Sequence, residues 1–412
     1  MSELVELTAL EQRRLIGTRA ISAGELLAAH LARIEAVNHD VNAVVALDAD
    51  VAVRRAAAVD DALASGDEVG PLAGLVTAHK DLTETAEFPT TYGSPLFSGF
   101  RPPADSLVVA RMKAAGAVAV GKTNTPEFGA GSHTFNPVYG TTRNPYDLVR
   151  SAGGSSGGAA AALACGMVAV ADGSDMGGSL RNPAAWNNVV GFRTTPRAVP
   201  AVGPGNRWST LAMEGPMALL LGVLGAADAR DPLHRPVELP VQLEPPARPL
   251  RVAWSADLGG LPIEPGQVAV LERFRGVVEA AGWDVEEAEP DLRGADECFR
   301  TLRAWQIATG PAVLVAPVTQ LAPFPVEWEY PTSVAGLPMN SYIEWMSACC
   351  RITVLGTPTL SVPAGFDAAG LPVGAQLIGR HGGDVELLRA AAVLEAATDH
   401  RHRRPPVVEA AP

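Results

Sequence analysis

Two glycine–serine clusters, Ser151-Ala152-Gly153-Gly154-Ser155-Ser156-Gly157-Gly158 and Asp175-Met176-Gly177-Gly178-Ser179-Leu180-Arg181, enclose an alanine-rich run from 159 to 168. Glycine permits backbone conformations and close approaches that a Cβ would block. Amide N–H groups gathered at a turn or helix start can converge on developing negative charge. Three kinds of site share this pattern. A phosphate-cradling loop requires GxxxxGK[ST], and no lysine follows either cluster. A nucleophile elbow is the second, because Gly153 to Gly157 fits GxSxG. That motif needs a core strand before it and an acid and a histidine after it. His381, His400 and His402 are available, but the stretch from Tyr146 to Ala152 is short and weak as a core strand. An α/β-hydrolase-type esterase acting through Ser155 is therefore the minor alternative. The third kind is a pair of loops that only pack, and two such clusters together argue against it.

Around the clusters, helices alternate with short apolar strands. Ser22-Ala23-Gly24-Glu25 has the form of a capping box, and Leu26, Leu27, His30, Leu31 and Ile34 follow at helical spacing, predicting a helix over 23–37. A strand is expected over 44–47, a helix over 51–65, and a buried strand over 75–78 that delivers His79-Lys80-Asp81. A helix over 106–115 and a strand over 117–120 come next. Beyond a connection at 231–250 holding Pro232, Pro236, Pro240, Pro245, Pro246 and Pro249, strands are expected at 251–254, 313–317, 358–362 and 371–379. Helices are expected at 266–281 and 384–397. The pattern predicts an α/β sheet fold in one domain over 1–412.

Composition narrows the partners. A net charge of −13 excludes a broad electrostatic grip on nucleic acid. The apolar run from 159 to 171 is shorter than the ~20 residues a bilayer helix needs. The acidic, polar start of the chain has no secretory pattern, and Cys165, Cys298, Cys349 and Cys350 form no CxxC pair for zinc. A cytoplasmic protein with reduced thiols and no metal is expected. Lysine occurs only at positions 80, 113 and 122; every other basic side chain of the Lys/Arg class is arginine.

Beyond the two clusters, further stretches resemble the amidase signature family: residues 71–81 ending in His79-Lys80-Asp81, residues 121–129, residues 136–145, and the closing stretches at 356–365 and 377–380. The resemblance runs over nearly the whole chain and is densest from 71 to 196. It implies one α/β/α domain with a large mixed twisted sheet and helices on both faces, its catalytic core at about 71–196, and a serine hydrolase that cleaves amide C–N bonds without a cofactor. Ser179 would be the nucleophile, Ser155 the bridging serine after a cis peptide bond, and Lys80 the base. The N–H groups of Met176, Gly177, Gly178 and Ser179 would form the oxyanion hole. Ser156, Asp175 and Arg181 would support the site, and Gly129, Ala130 and Gly131 would wall the acyl pocket near His133. An ordinary lysine, with a pKa near 10.4, is a poor base at neutrality, so burial has to lower it. Strand alternation points His79 away from Lys80, and Lys122 is expected to make structural hydrogen bonds.

The resemblance leaves the substrate open among small-molecule amides, anilides and carbamates. It also leaves open the glutamine-hydrolysing subunit of a tRNA-dependent amidotransferase, and the oligomeric state, a homodimer included. Two stretches depart from the family: the residues after Met217, and the five from Ala308 to Ala312, where relatives carry a longer helical portion. Either the substrate site is more open here, or the chain lacks segments that its relatives have.

Overall fold

A computed structural model describes residues 2–200, 211–216, 230–231, 237, 243–289, 292, 294–296 and 313–410. The shortened stretches near 217–218 and 308–312, and half of the proline-rich connection, lie outside these residues. Helix α1 spans Ala9–Gly17 and α2 spans Ala23–Val41. The capping box at the start of α2 is formed in both directions: Ser22 Oγ accepts the Glu25 N–H at 3.0 Å, and Glu25 Oε2 accepts the Ser22 N–H at 2.8 Å. Helix α3, Ala49–Ser65, stops at Gly66 in the left-handed conformation that a glycine adopts freely. Helix α4 spans Leu107–Ala114.

Strands β1 (Val44–Val45), β2 (Val76–Lys80), β3 (Val118–Thr123), β4 (Val170–Asp175), β5 (Gly191–Arg193) and β6 (Met213–Pro216) arise in the first half. β7 (Arg251–Trp254), β8 (Asp284–Glu287), β9 (Val313–Pro317), β10 (Thr359–Phe366) and β11 (Pro372–Gly379) follow. Hydrogen bonding orders them in two mixed sheets, β1-β3-β2-β4-β6 and β8-β7-β9-β11-β10-β5. β2 is parallel to both neighbours, β3 and β4, so its carboxyl end opens between them. Ligand sites in such sheets form at the carboxyl ends of strands.

Helices cover both faces. The alanine-rich stretch forms α5 (Gly157–Ala164), which lies against β2, β3 and β4 in the core shared with α2 and α3. Small residues are required there: a Cβ on Gly158 would sit 2.3 Å from the Asn124 backbone nitrogen. The second glycine–serine cluster runs into the short helix α6 (Arg181–Trp186), buried along its whole length. Along β9, Val313 and Val315 enter a core with Trp254, Phe274 and Leu387, where α7 (Pro265–Ala280) and α9 (Asp384–Ala396) pack. Leu314 and Ala316 face the opposite core with Ala348 and Ile352 of α8 (Ser347–Thr353). A strand buried on both faces reads as a continuous apolar run, as Val313 to Val315 does.

Several boundaries differ from the sequence expectation: the helix expected over 23–37 runs on to Val41, and the strand expected at 358–362 runs on to Phe366. The strand at 44–47 ends at Val45 because Ala46 takes φ 49°. The strand at 117–120 continues to Thr123, since its parallel pairing with β2 persists through His79–Lys122 and Lys80–Thr123. The segment before the first cluster does contain a strand, Asp147–Ser151. It pairs with Arg143–Asn144 in a separate two-stranded ribbon, not in either large sheet.

Candidate active site

Lys80 closes β2 and is fully buried. Its Nζ lies 2.8 Å from Ser155 Oγ, 2.8 Å from Ser156 Oγ and 3.1 Å from Ser174 Oγ. Burial draws the Lys80 ammonium from its ordinary 10.5 down to about 7, against the opposing charges of Asp172 and Asp175. The Gly154–Ser155 peptide bond is cis. Neighbouring polar groups hold this turn. Ser132 Oγ donates to the Gly154 carbonyl at 2.6 Å, and Thr134 Oγ1 donates to the Gly153 carbonyl at 2.8 Å.

The second cluster comes to the first through its backbone. The Ser156 N–H donates to the Ser179 carbonyl at 3.1 Å, placing the two serine turns side by side. Beneath Ser179, Asp175 meets Arg181 in a fully buried two-pronged pair, at 2.9 and 3.0 Å. The guanidinium and two backbone N–H donors hold the Asp175 carboxyl far below the usual carboxylate range, despite burial. Arg181 also reaches Thr353 Oγ1 at 2.6 Å and the Cys349 carbonyl at 3.2 Å, tying the turn to α8.

Of the four N–H groups expected to face an oxyanion, that of Gly178 is turned inward. It donates to Asp175 Oδ1 at 2.9 Å. Those of Met176, Gly177 and Ser179 meet no acceptor among the described residues. Of the pocket residues, Gly129 borders the serines directly: a Cβ there would lie 3.7 Å from Ser155 Oγ and 2.7 Å from Leu82 Cδ1. Ala130 is exposed, and Gly131 has open space around it.

Other side chains separate from the chemistry. His133 joins Ser151 Oγ at 2.7 Å and the Val326 carbonyl at 3.1 Å, and its ring packs on Phe135 and Phe324. Lys122 is buried too, but its amine is held by the Thr83 carbonyl, Thr85 and Thr90. No histidine touches Ser155 among the described residues. Sequence reasoning missed Ser174, the third hydroxyl on Lys80; its place two residues after Asp172 on one strand carried no signal by itself. It also missed the contact of His79 Nδ1 with Asp172 Oδ1, at 2.7 Å.

A family profile described as Amidase matches residues 25–306 and 296–388. The chain belongs to the amidase signature family. An acylamidase of Rhodococcus erythropolis is 31% identical, covering 97% of each chain. That alignment runs over 463 positions, more than the 412 residues of this chain, so the relative carries residues that this chain lacks. A glutamyl-tRNA(Gln) amidotransferase subunit from Synechococcus elongatus is 33% identical, covering 93% of this chain and 96% of that one. Among solved structures, a bacterial aryl acylamidase of the amidase signature family superposes with a TM-score of 0.88 at 26% identity. It covers 98% of this chain and 99% of its own. A 6-aminohexanoate cyclic dimer hydrolase superposes at 0.83, also with 26% identity and the same coverage. As a member of the amidase signature family the protein is an amide-hydrolysing enzyme. Among the described residues, no helix is long and apolar enough to cross a membrane.

Proposed function

We propose that this amidase cleaves acyl and aryl amides, with carbamates within reach, through an acyl-enzyme on Ser179. The observation that carries the reading is the 2.8 Å contact between Lys80 Nζ and Ser155 Oγ in a site dry enough to bring the amine to about 7. Neutral Lys80 takes the Ser155 proton as Ser155 takes that of Ser179, and Ser179 Oγ bonds to the substrate carbonyl carbon. The carbonyl oxygen becomes an oxyanion facing the N–H groups of Met176, Gly177 and Ser179. On collapse the C–N bond breaks and the proton held on Lys80 returns through Ser155 to the leaving amine. Water then attacks the ester by the same route, releasing the acid. Ser156, Asp175 and Arg181 hold the two turns in place, and Gly129 leaves room beside the carbonyl.

Initial rates on matched p-nitroanilide, p-nitrophenyl ester and N-aryl carbamate substrates test this, with Ser179→Ala and Lys80→Ala beside wild type. Loss of anilide turnover in both variants is expected. Retained activity in Ser179→Ala, with loss in Ser155→Ala, would return the elbow reading. The likeness to the amidotransferase chain favours a second reading, glutamine hydrolysis beside a partner chain. Glutaminase assays of the protein alone and with candidate partner chains decide it, and no turnover in either removes it.

A further inference from the structure

His79 takes no part in the chemistry above, yet it sits against Asp172, the larger of the two carboxylate charges that work against Lys80. Asp172 Oδ1 accepts from His79 Nδ1 at 2.7 Å, and Oδ2 accepts from Thr83 Oγ1 at 3.0 Å and from the Lys80 backbone N–H at 3.4 Å. All three side chains are buried. A bare anion in that position would pull a proton onto Lys80 and disable it as a base. Each donor that Asp172 acquires spreads its charge and weakens that pull. We propose that His79 and Asp172 form a positioning pair for Lys80, in which the imidazole restrains the carboxylate so that the buried amine stays available as a base. This rests on Lys80 being the base.

The surroundings of the pair are charged but internally matched. On its outer side His79 lines a small cavity with Arg55, Glu87, Asp105 and Lys113. There Arg55 pairs with Glu87 at 2.8 Å, and Lys113 with Asp105 at 3.0 Å and Glu87 at 3.1 Å. Lys122 stands opposite His79 on β3, its amine turned to the threonines already named. On the inner side Asp175 is held by Arg181. Glu214 on β6 lies opposite Ser174, its carboxyl pushed up to about 7 by its poorly solvated position and by Asp172. No lysine or arginine side chain donates directly to Asp172 among the described residues, so His79 and Thr83 are its side-chain donors and His79 holds the shorter contact.

The test is the pH dependence of kcat/KM on the anilide from pH 5 to 10, with the full chain. All variants carry Glu214→Gln, to remove a second group that titrates in the same range. Activity rises with pH as Lys80 loses its proton. In His79→Phe the midpoint of that rise should move up by about one pH unit, and in Asp172→Asn it should move down by a similar amount. His79→Gln, whose amide can donate to Asp172, should return the midpoint towards the parent. A midpoint does not depend on how much protein is folded, and fluorophosphonate titration counts the active sites. Shifts of the same sign in His79→Phe and Asp172→Asn, or no shift in either, overturn the inference. Lys80→Ala separates this from the underlying reading: activity without Lys80 removes the base assignment itself. A dead Lys80→Ala beside unmoved midpoints removes only the role of the pair.

Discussion

Replacing Lys80 with methionine should make the protein more stable at neutral pH while abolishing its activity. In the unfolded chain the amine keeps its proton up to about 10.5, whereas burial in the fold lowers that to about 7. Between these values the unfolded chain binds one proton more than the native one. Wild-type stability therefore rises with pH across this window, by about 1.4 kcal/mol per pH unit. The whole penalty, roughly 4 to 5 kcal/mol, is present below pH 7 and gone above 10.5. Methionine fills a similar volume without charge. The hydroxyls of Ser155, Ser156 and Ser174 lose a shared partner, which costs about 1–3 kcal/mol and does not vary with pH. Net stabilisation of about 2 kcal/mol is expected at pH 7. Urea unfolding of both proteins at half-unit steps from pH 7 to 9.5 measures the difference. The advantage of Lys80→Met should shrink by about 1.4 kcal/mol per pH unit. A difference that stays constant with pH would refute the claim that the lysine is folded into a setting that rejects its charge.

Two further outcomes follow from the second serine turn. Asp175→Asn strands the buried Arg181 guanidinium and should cost about 3–5 kcal/mol, seen as a fall in Tm; an unchanged Tm would show that the pair carries no structural weight. Gly178→Ala places a Cβ 2.6 Å from that of Cys349 at φ 108°, so the turn must shift. Turnover should fall at least about 100-fold, and a variant retaining half its activity would mean that the turn has slack.

How much of this was legible beforehand depends on whether the cause was local. The capping box at Ser22 and Glu25 is a four-residue signal, and the helix begins there. The strand leading to Lys80 could be read because a short apolar run stops at three polar residues. The cis bond before Ser155 followed from the family resemblance, not from any propensity in Gly154-Ser155. What escaped were partnerships between distant residues. His79 and Asp172 are 93 positions apart, and only the parallel alignment of β2 with β4 brings them together. Likewise Asp175 reaches Gly178 only once the turn is closed, so the family resemblance implied four outward N–H groups where one is turned in. Strand ends were misjudged where a neighbour decided them, as at Thr123, whose pairing with Lys80 lengthens β3.

The distribution of amines has a practical side. With Lys80 and Lys122 sealed inside, Lys113 is the one lysine left with solvent contact, and its side chain is only 25% exposed. Reagents aimed at lysine, whether dyes, crosslinkers or surface-coupling esters, therefore meet at most one side-chain target on the folded protein. That target lies on α4, on the far side of β2 from the serines. Attachment there would present every molecule in the same orientation, and a second modified lysine would report that the fold had opened.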